Sequence, residues 1–401
     1  MTIAPTATGP HVLRRINATA VLDALRSTDG MTARVAALVA ATGLSRPAVS
    51  RALAALADVG AVEFLVTEDN GVGRPAQRAR FRAECGHVAG IDLGPHKLLV
   101  TLADLAGTVC AERRVATPYG VAGPEAAGLL RTALAEVAAD AGLEPTALWA
   151  VTVGTPGVVD VERGEVVLAP SIPGWAGLPL LAELRDWLGC PVLVENDVNL
   201  AVAAERWRGP AEDNLLYVHW GERIGSGIVI DGKPHRGASS AAGELGFVDL
   251  ATPLDEEPAP VVEGLGPFER LVGARAILAL ATERCTGPLR ETLRSSGDVA
   301  VLFEAAAIGD EEAVSVVRTV ARRFARGLAT HLLALDPECV VVGGGVSGAG
   351  DVLFDAVRTE LARMLLTPVE LRISALREKG VVLGAIRMSL DTAEQRLAGM
   401  L

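Results

Sequence analysis

The spacing of apolar residues near the N-terminus predicts two short helices joined by a tight turn. Residues 32–41 have the pattern of an amphipathic helix. Gly43 supplies the permissive backbone of a turn, and a second helix is expected to begin after Ser45, a suitable N-cap, with Pro47 in its first turn. The buried stripe of this second helix is predicted to consist of Val49, Leu53, Leu56 and Val59.

The polar side of the second helix carries Ser45, Arg46, Ser50 and Arg51 near its start. A helix-turn-helix presents side chains at this place to base edges and phosphates in the major groove of DNA. We therefore predict that these four residues contact DNA. For this pattern alone, an ordinary helical hairpin with a basic face is the alternative.

The stretch that follows, residues 61–81, predicts a strand, a polar turn and a second strand. A β-hairpin beside a recognition helix makes a winged helix-turn-helix. Arg74, at the predicted tip, is placed to enter a narrow minor groove; a solvated hairpin with basic side chains is the alternative. Upstream, residues 17–26 are predicted to form the first helix of this unit, after a poorly ordered lead-in over residues 1–17.

From residue 87 the pattern changes to apolar strands that alternate with helices. Strands are predicted over residues 87–93, 97–102, 109–116, 148–153, 191–195, 215–220, 227–231 and 339–342, and helices over 125–141, 178–188, 197–206 and most of 268–335. This alternation predicts two α/β lobes with a cleft between them. We divide the chain into a winged helix-turn-helix domain at residues 1–82 and a two-lobed domain at residues 83–401.

Composition adds a marked charge asymmetry. The 401 residues have a formal net charge of −12, yet residues 1–82 contain ten arginines against six acidic residues, and the remainder has 27 basic and 43 acidic residues. Only the N-terminal part therefore has the sign that suits phosphate. Five scattered cysteines argue against a disulfide framework or a zinc knuckle. With no apolar run near the length of a membrane span and no signal region, we expect a cytoplasmic protein.

Three glycine-rich turns are candidate phosphate cradles. Asp92 and Gly94 lie in the first, Gly225 and Gly227 in the second, and residues 343–345 form the third. Turns of this kind suit phosphates or nucleotides, although a plain tight turn is the alternative for each.

A predicted strand runs directly into a helix at Asn196 and Asp197. Asp197 is a candidate general base toward a hydroxyl, which Asn196 would orient. The alternative is that one of the two only caps the helix. Glu244, in a turn of small residues, is a further carboxylate suited to sugar hydroxyls.

The winged helix and seven further motifs resemble the ROK family (repressors, open reading frames, kinases), in its branch of transcription regulators. In order, the motifs are GIDLG, VGTPGVVD, APSIPGW, ENDVNLAVAAE, RIGSGIVIDG, AGELG and VVVGGGVS. The resemblance implies an actin-like, hexokinase-type ATPase fold in two lobes, with a carbohydrate bound between them. It also implies a kinase base at Asp197, sugar contacts at Asn196, Glu244 and Glu269, and phosphate motifs at Asp92, Gly225 and Gly227.

Departures from the family pattern fall at the phosphate motifs and the sugar pocket. Pro95 and His96 follow Gly94, where the kinases have a glycine and a threonine, and Glu222 stands in the second phosphate turn. Proline removes an N–H, and a carboxylate repels phosphate, so ATP binding is not expected.

The sugar and zinc motifs are altered as well. Phe247 replaces the histidine that ligates sugar and zinc, and Ser171 stands where many members have asparagine. The cysteine cluster is absent from residues 248–270, so no zinc is expected. Phe247 would either fill the sugar pocket or stack on a sugar face.

Together these features predict a DNA-binding regulator that keeps the sugar cleft as a sensor and has lost phosphoryl transfer. Its expected partners are a double-stranded operator and a carbohydrate or sugar-phosphate effector, with no membrane. It is expected to be a homodimer or homotetramer. Two alternatives are an ATP-dependent sugar kinase that also binds DNA, with Asp197 active, and a DNA-binding regulator whose kinase-like scaffold holds no ligand.

Overall fold

The computed structural model describes residues 10–65, 78–118, 120–253, 255–262 and 264–401, which form a small head and a larger body. The elements of the head are α1 (Pro10–Arg26), β1 (Thr32–Arg34), α2 (Val35–Thr42), α3 (Arg46–Asp58), β2 (Val62–Leu65) and β3 (Arg78–Phe81). Its three strands are antiparallel in the order β1-β3-β2. This arrangement confirms the predicted helix-turn-helix and the strand pair of its wing.

Two predicted boundaries in the head are wrong. Residues 32–34 form a strand because Thr32 and Arg34 pair with Arg80 and Arg78 of β3, and this long-range pairing outweighs the helical spacing of the segment. The expected lead-in is partly helical, since α1 begins at Pro10, a residue suited to a first helical position. The predicted hairpin turn, Arg74 included, lies outside the described residues.

The first lobe of the body is built on a five-stranded sheet. Its elements are β4 (His87–Leu93), β5 (Lys97–Asp104), β6 (Val109–Ala116), α4 (Gly123–Asp140), β7 (Leu148–Thr155), β8 (Val158–Asp160), β9 (Glu165–Leu168), α5 (Leu180–Leu188), β10 (Val192–Asn196) and α6 (Asp197–Arg208). The strand order is β10-β7-β4-β5-β6, with β4, β7 and β10 parallel. Strand β10 runs directly into α6, so Asn196 and Asp197 lie at the carboxyl end of the parallel strands.

The second lobe is also built on a five-stranded sheet, with the strand order β13-β12-β11-β14-β15. Its elements are β11 (Leu215–Trp220), β12 (Ile224–Ile230), β13 (Lys233–Pro234), α7 (Glu269–Val272), α8 (Ala274–Arg284), α9 (Gly287–Ser296), α10 (Ala300–Ala307), α11 (Glu311–Leu335), β14 (Cys339–Gly343), α12 (Asp351–Leu361) and β15 (Glu370–Ile373). Trp220 is fully buried in its core, where it stacks on Phe324 of α11. The two lobes confirm the predicted α/β body.

A C-terminal helix that the sequence pattern does not predict, α13 (Gly380–Met400), connects the head to the body. It packs against α6, β4 and β7 of the first lobe and against α1 of the head. Gly384 permits the close approach to α6, because a Cβ there would lie 1.9 Å from the carbonyl oxygen of Leu200. Arg26 of α1 donates to Glu394 of α13 at 2.8 Å. One continuous core is shared by Leu22, Leu25, Leu56, Val88, Leu105, Ile386, Leu390 and Leu397.

The longest helices of the described chain are α11, with 25 residues, and α13, with 21. Charged residues interrupt the apolar positions of both. Across the described ranges, no helix combines the length and apolar character that crossing a membrane requires.

Candidate functional site

The helix-turn-helix places the polar side of α3 on the surface. α2 ends at Gly43, whose φ of +68° lies in the left-handed region that glycine adopts without strain. Ser45 then caps α3, as predicted, with its hydroxyl accepting the Ala48 N–H at 3.4 Å. Because the apolar stripe of α3 is buried, its opposite side faces solvent. The exposed side chains there are Ser45, Arg46, Ser50 and Arg51.

The arginines of this surface differ from Arg80 of the wing in their partners. Arg46 and Arg51 make no ion pair or hydrogen bond with the part of the chain that the structure describes. Arg80 of the wing, in contrast, donates to Glu63 at 2.6 Å and to Glu84 at 2.7 Å. The guanidinium groups of α3 can therefore meet a phosphate without first breaking an internal pair.

At the corner between β10 and α6, the structure places Asn196 and Asp197 side by side. Asn196 Oδ1 accepts the N–H groups of Val198 at 2.9 Å and Asn199 at 3.1 Å, and Asn196 Nδ2 donates to the Gly157 carbonyl at 2.9 Å. Asn196 is therefore the N-cap of α6, the alternative that the sequence left open. Its role as a sugar contact stays a prediction.

Carboxyl groups from both lobes lie near Asp197. Burial, followed by the negative charges of Asp92 and Glu244, raises the pKa of Asp197 to about 7. Asp92 is itself buried, which raises its pKa, and pairs with Lys97 Nζ at 2.8 Å. A carboxyl group with a pKa near neutrality can accept a proton or hydrogen-bond a hydroxyl group. The corner therefore suits a ligand that presents hydroxyl groups.

The facing turn of the second lobe holds Glu244 and Phe247, and the buried Glu269 lies beside it as the first residue of α7. Burial, followed by the charge of Glu269, raises the pKa of Glu244. Phe247 is 42% exposed, so its ring lies on the surface and does not fill an internal pocket. Glu269 accepts the N–H groups of Ile224 at 2.9 Å and Gly266 at 2.8 Å, so both of its oxygens hold the backbone in place. Sugar contact by these three residues stays a prediction.

Ser171 lies in the turn that follows β9, half-buried in the first lobe. Its neighbour Pro170 meets the second lobe, since a Cβ on Gly264 would lie 3.2 Å from Pro170 Cβ. Ser171 is therefore close to the junction of the two lobes, and its contact with a ligand stays a prediction.

The structure corrects the position of the second phosphate motif. Gly225 and Gly227 lie within β12, paired with His219 and Tyr217 of β11, and not in the turn that precedes the strand. Gly227 meets a packing requirement, because a Cβ there would lie 2.8 Å from the carbonyl oxygen of Val198 in α6. The small residues of this motif therefore let α6 approach the strand.

Charged side chains of the two turns at the phosphate motifs lie close to each other. In the first turn, the Gly94 N–H is already used within the turn, and Pro95 has no N–H to offer. In the second turn, Glu222 pairs with Arg275 at 2.6 Å and lies 4.0 Å from His96 Nε2 of the first turn. A carboxylate thus stands where a nucleotide needs N–H donors and cations, so these residues do not fit ATP.

Four residues of the cleft are not predicted from the sequence: Lys97, Glu195, His219 and Arg236. Burial, followed by the charge of Lys97, lowers the pKa of His219 to about 4. Arg236 donates to Glu195 Oε2 at 2.5 Å. The only sequence signal for Glu195 is its place directly before Asn196, and its partner is 41 positions away.

A zinc site of the kind found in the resembled family does not fit these residues. Phe247 occupies the histidine position, and residues 248–270 contain no cysteine. In the described ranges, no group of three or more His, Cys, Asp or Glu residues is arranged to hold a metal ion.

Comparison with known proteins identifies the family. Residues 88–391 match the ROK family, and residues 16–65 match the IclR helix-turn-helix domain. The chain belongs to the ROK family. This ROK protein is 24% identical over 330 residues to the xylose repressor of Caldicellulosiruptor bescii, which covers 80% of this chain and 82% of the relative. It is 31% identical over 295 residues to the glucokinase of Streptomyces coelicolor, covering 70% and 89% of the two chains.

Solved structures of ROK proteins share the fold. A ROK family transcriptional regulator, a homolog of the E. coli MLC protein, superposes on 97% of this chain and 99% of its own with a TM-score of 0.79 at 22% identity. A ROK family glucokinase from Streptomyces griseus, in complex with glucose and AMPPNP, superposes on 76% and 100% with a TM-score of 0.65 at 27% identity. The likeness to the regulator therefore includes the head as well as the body.

Proposed function

We propose that this ROK protein is a DNA-binding transcriptional repressor that responds to a sugar bound between its two lobes. The observation that carries the proposal is the exposed side of α3, where Arg46 and Arg51 have no partner among the described residues. Ser45, Ser50 and the predicted wing residue Arg74 complete the DNA contacts. The name of one relative, a xylose repressor, supports the assignment.

The effector is an uncharged sugar rather than a sugar phosphate. The cations of the cleft are held by carboxylates, in the pairs Lys97–Asp92, Arg236–Glu195, Arg275–Glu222 and Arg223–Glu269. The carboxyl groups of Asp197 and Glu244 suit hydroxyl donors, with Asn196, Ser171, Phe247 and Glu269 nearby in the proposed contact set. A phosphate on the sugar would meet more negative charge than free positive charge.

Phosphoryl transfer is not part of the proposed function, and no cofactor is proposed. The reaction depends on cations and N–H donors positioned around the phosphates. Pro95 removes one N–H donor from the first turn, and Glu222 adds a carboxylate to the second. The alternative, an ATP-dependent sugar kinase, is favoured by the pKa of Asp197, which suits a general base near neutral pH.

The repressor acts in the cytoplasm as a homodimer or homotetramer on a roughly palindromic operator. Two copies of α3 would then lie one helical turn apart, ~34–36 Å on B-DNA. Sugar binding changes the closure of the two lobes and hence the spacing of the heads. The coupling is reciprocal, so operator DNA alters sugar affinity by the same factor.

The first test is selection of fragmented genomic DNA by the full-length protein at physiological salt, followed by footprinting. We expect one or a few protected palindromic sites, with an affinity that changes on adding xylose, glucose or another neutral sugar and not on adding glucose 6-phosphate. Equal binding to every fragment and to random duplex, with and without sugars, would reject the proposal.

A second assay separates the repressor from the kinase. ADP release is measured with ATP and each sugar that changes operator binding. We expect no turnover above background. Turnover that disappears in Asp197→Asn would establish the kinase in its place.

A further inference from the structure

An ion pair between Arg236 and Glu195 joins the two lobes beside the effector corner. Glu195 is the penultimate residue of β10 in the first lobe, and its side chain is 3% exposed. Arg236 follows β13 in the second lobe, and its Nε and Nη2 donate to Glu195 Oε2 at 2.8 and 2.5 Å. Hydrogen bonds between two charged groups belong to the stronger class, so this contact constrains both lobes.

On the first lobe, Glu195 is tied to the start of α6. Its Oε1 accepts the Asn196 N–H at 3.0 Å and the Asn199 Nδ2 at 3.1 Å. Asp197 lies between these two donors in the chain. The position of the Glu195 carboxylate is therefore linked to the position of the Asp197 corner.

On the second lobe, Arg236 begins the loop that leads to Glu244. The Arg236 carbonyl accepts the Ala242 N–H at 3.0 Å. At the far end, the Gly243 carbonyl accepts the N–H and the hydroxyl of Ser226 in β12, each at 2.8 Å. Both ends of the loop are thus fixed to the sheet of its own lobe, since the His235 N–H also donates to the Ile228 carbonyl at 2.8 Å, and Arg236 adds a connection to the first lobe.

We propose that Arg236 is a positioning residue for effector binding, which holds the Glu244 loop of the second lobe against the Asn196–Asp197 corner of the first. The inference rests on the proposed sugar effector. If Arg236 is removed, the loop loses its connection across the cleft, and the Glu195 carboxylate is left buried without its counter-charge. Carboxyl groups on the two sides of the ligand are then no longer preorganised.

Hydrogen exchange of the full-length protein without sugar tests the connection directly. In Arg236→Ala, the backbone amides of residues 237–246 and 196–199 should exchange faster than in the wild type. Arg236→Lys keeps the charge and one donor group, so it should restore part of the protection. Arg372→Ala is the matched control, because it removes a partly buried ion pair with Glu212 away from Glu244 and should leave both segments unchanged.

Calorimetry with xylose and glucose as probes tests the consequence for binding. For a probe that binds the wild type, Arg236→Ala should lower the affinity roughly 10- to 100-fold, by analogy with the replacement of residues that orient metal ligands. Arg236→Lys should recover part of the loss. The far-ultraviolet circular dichroism spectrum of each variant should match that of the wild type, which a general loss of structure would not allow.

The inference would be overturned by wild-type exchange over residues 237–246 in Arg236→Ala, or by equal acceleration there in Arg372→Ala. Unchanged sugar affinity in Arg236→Ala would do the same. If neither probe binds the wild type, the effector assignment fails for these sugars, and exchange over residues 237–246 still decides whether Arg236 holds the loop.

Discussion

The two surfaces that the proposed function uses treat their cationic side chains in opposite ways. On α3, Arg46 and Arg51 are exposed and have no partner in the described ranges. In the cleft, Lys97 lies 2.8 Å from a buried carboxylate, and Arg236 lies 2.5 Å from another. The head thus offers its positive charge to an external anion, whereas the cleft neutralises its own.

This difference predicts which ligand each surface selects. A guanidinium in water binds a phosphate without breaking an internal pair. A cation in the cleft must first lose its carboxylate, and a buried carboxylate without a partner is costly in free energy. Polyanionic DNA therefore suits α3, and an uncharged ligand rich in hydroxyl groups suits the cleft.

The largest expected effect comes from removing the unpaired charges of the head. Arg46→Ala and Arg51→Ala should each weaken operator binding by about 1–3 kcal/mol, and the double variant by about 2–6 kcal/mol if the two sites act independently. Each lost phosphate contact should also lower the salt slope by about 1. Fluorescence anisotropy with the footprinted operator, at several salt concentrations, measures both quantities.

Arg294→Ala is the control for this experiment, because Arg294 is exposed on α9 of the second lobe, away from α3. It should leave affinity and salt slope unchanged. If the double variant binds the operator like the wild type, α3 is not the DNA-binding surface, and the contrast between the head and the cleft loses its meaning.

The head shows what sequence pattern can predict. The stripe that includes Val49, Leu53 and Leu56 follows from helical spacing, and the N-cap at Ser45 follows from residue type, because both depend on neighbours within a few positions. The short strand β1 cannot be predicted in the same way, because residues 32–34 form a strand only by pairing with β3, more than 40 positions later in the chain.

The cleft shows what pattern cannot predict. The carboxylates Asp92, Asp197, Glu244 and Glu269 are found through the family motifs. Glu195 and Arg236 are not, because the two side chains meet only after the two lobes have folded together. The position of helix α13 is not predicted for the same reason. Its packing depends on glycines that let backbone approach backbone between segments far apart in the chain, such as Gly384 against Leu200.

A smaller effect is expected from the pH dependence of the cleft. Asp197 has a pKa of about 7 in the folded protein, against its ordinary value of 3.8. Below about pH 4 the group is protonated in both states. Between about pH 4 and 7 the unfolded chain has released this proton while the folded protein still holds it, so wild-type stability relative to Asp197→Asn should fall across this window, by on the order of 1–3 kcal/mol, and level off above pH 7.

Thermal or urea unfolding of the two proteins side by side measures this difference. The comparison cancels the opposite trend from His219, whose lowered pKa costs stability as the pH falls below about 6.5. Asp255→Asn, at an exposed loop position, is the control and should track the wild type at every pH. A difference between wild type and Asp197→Asn that does not change with pH would mean that Asp197 is not ionising in this range.

The smallest effect should come from removing the negative charge of Glu222, which pairs with Arg275 in the cleft. Glu222 pairs with Arg275 at 2.6 Å, and both side chains are partly exposed, so the pair is worth about 1 kcal/mol or less. In Glu222→Gln, ADP and glucose 6-phosphate should bind up to several-fold more tightly, whereas neutral-sugar affinity should not change. Calorimetry with the three ligands reads this out, and Glu257→Gln, exposed in a loop, is the charge-matched control. If ADP and glucose 6-phosphate bind Glu222→Gln no more tightly than the wild type, the pairing of the cleft cations is not what excludes phosphate. The different ligands of α3 and the cleft would then have to be explained by the shapes of the two surfaces alone.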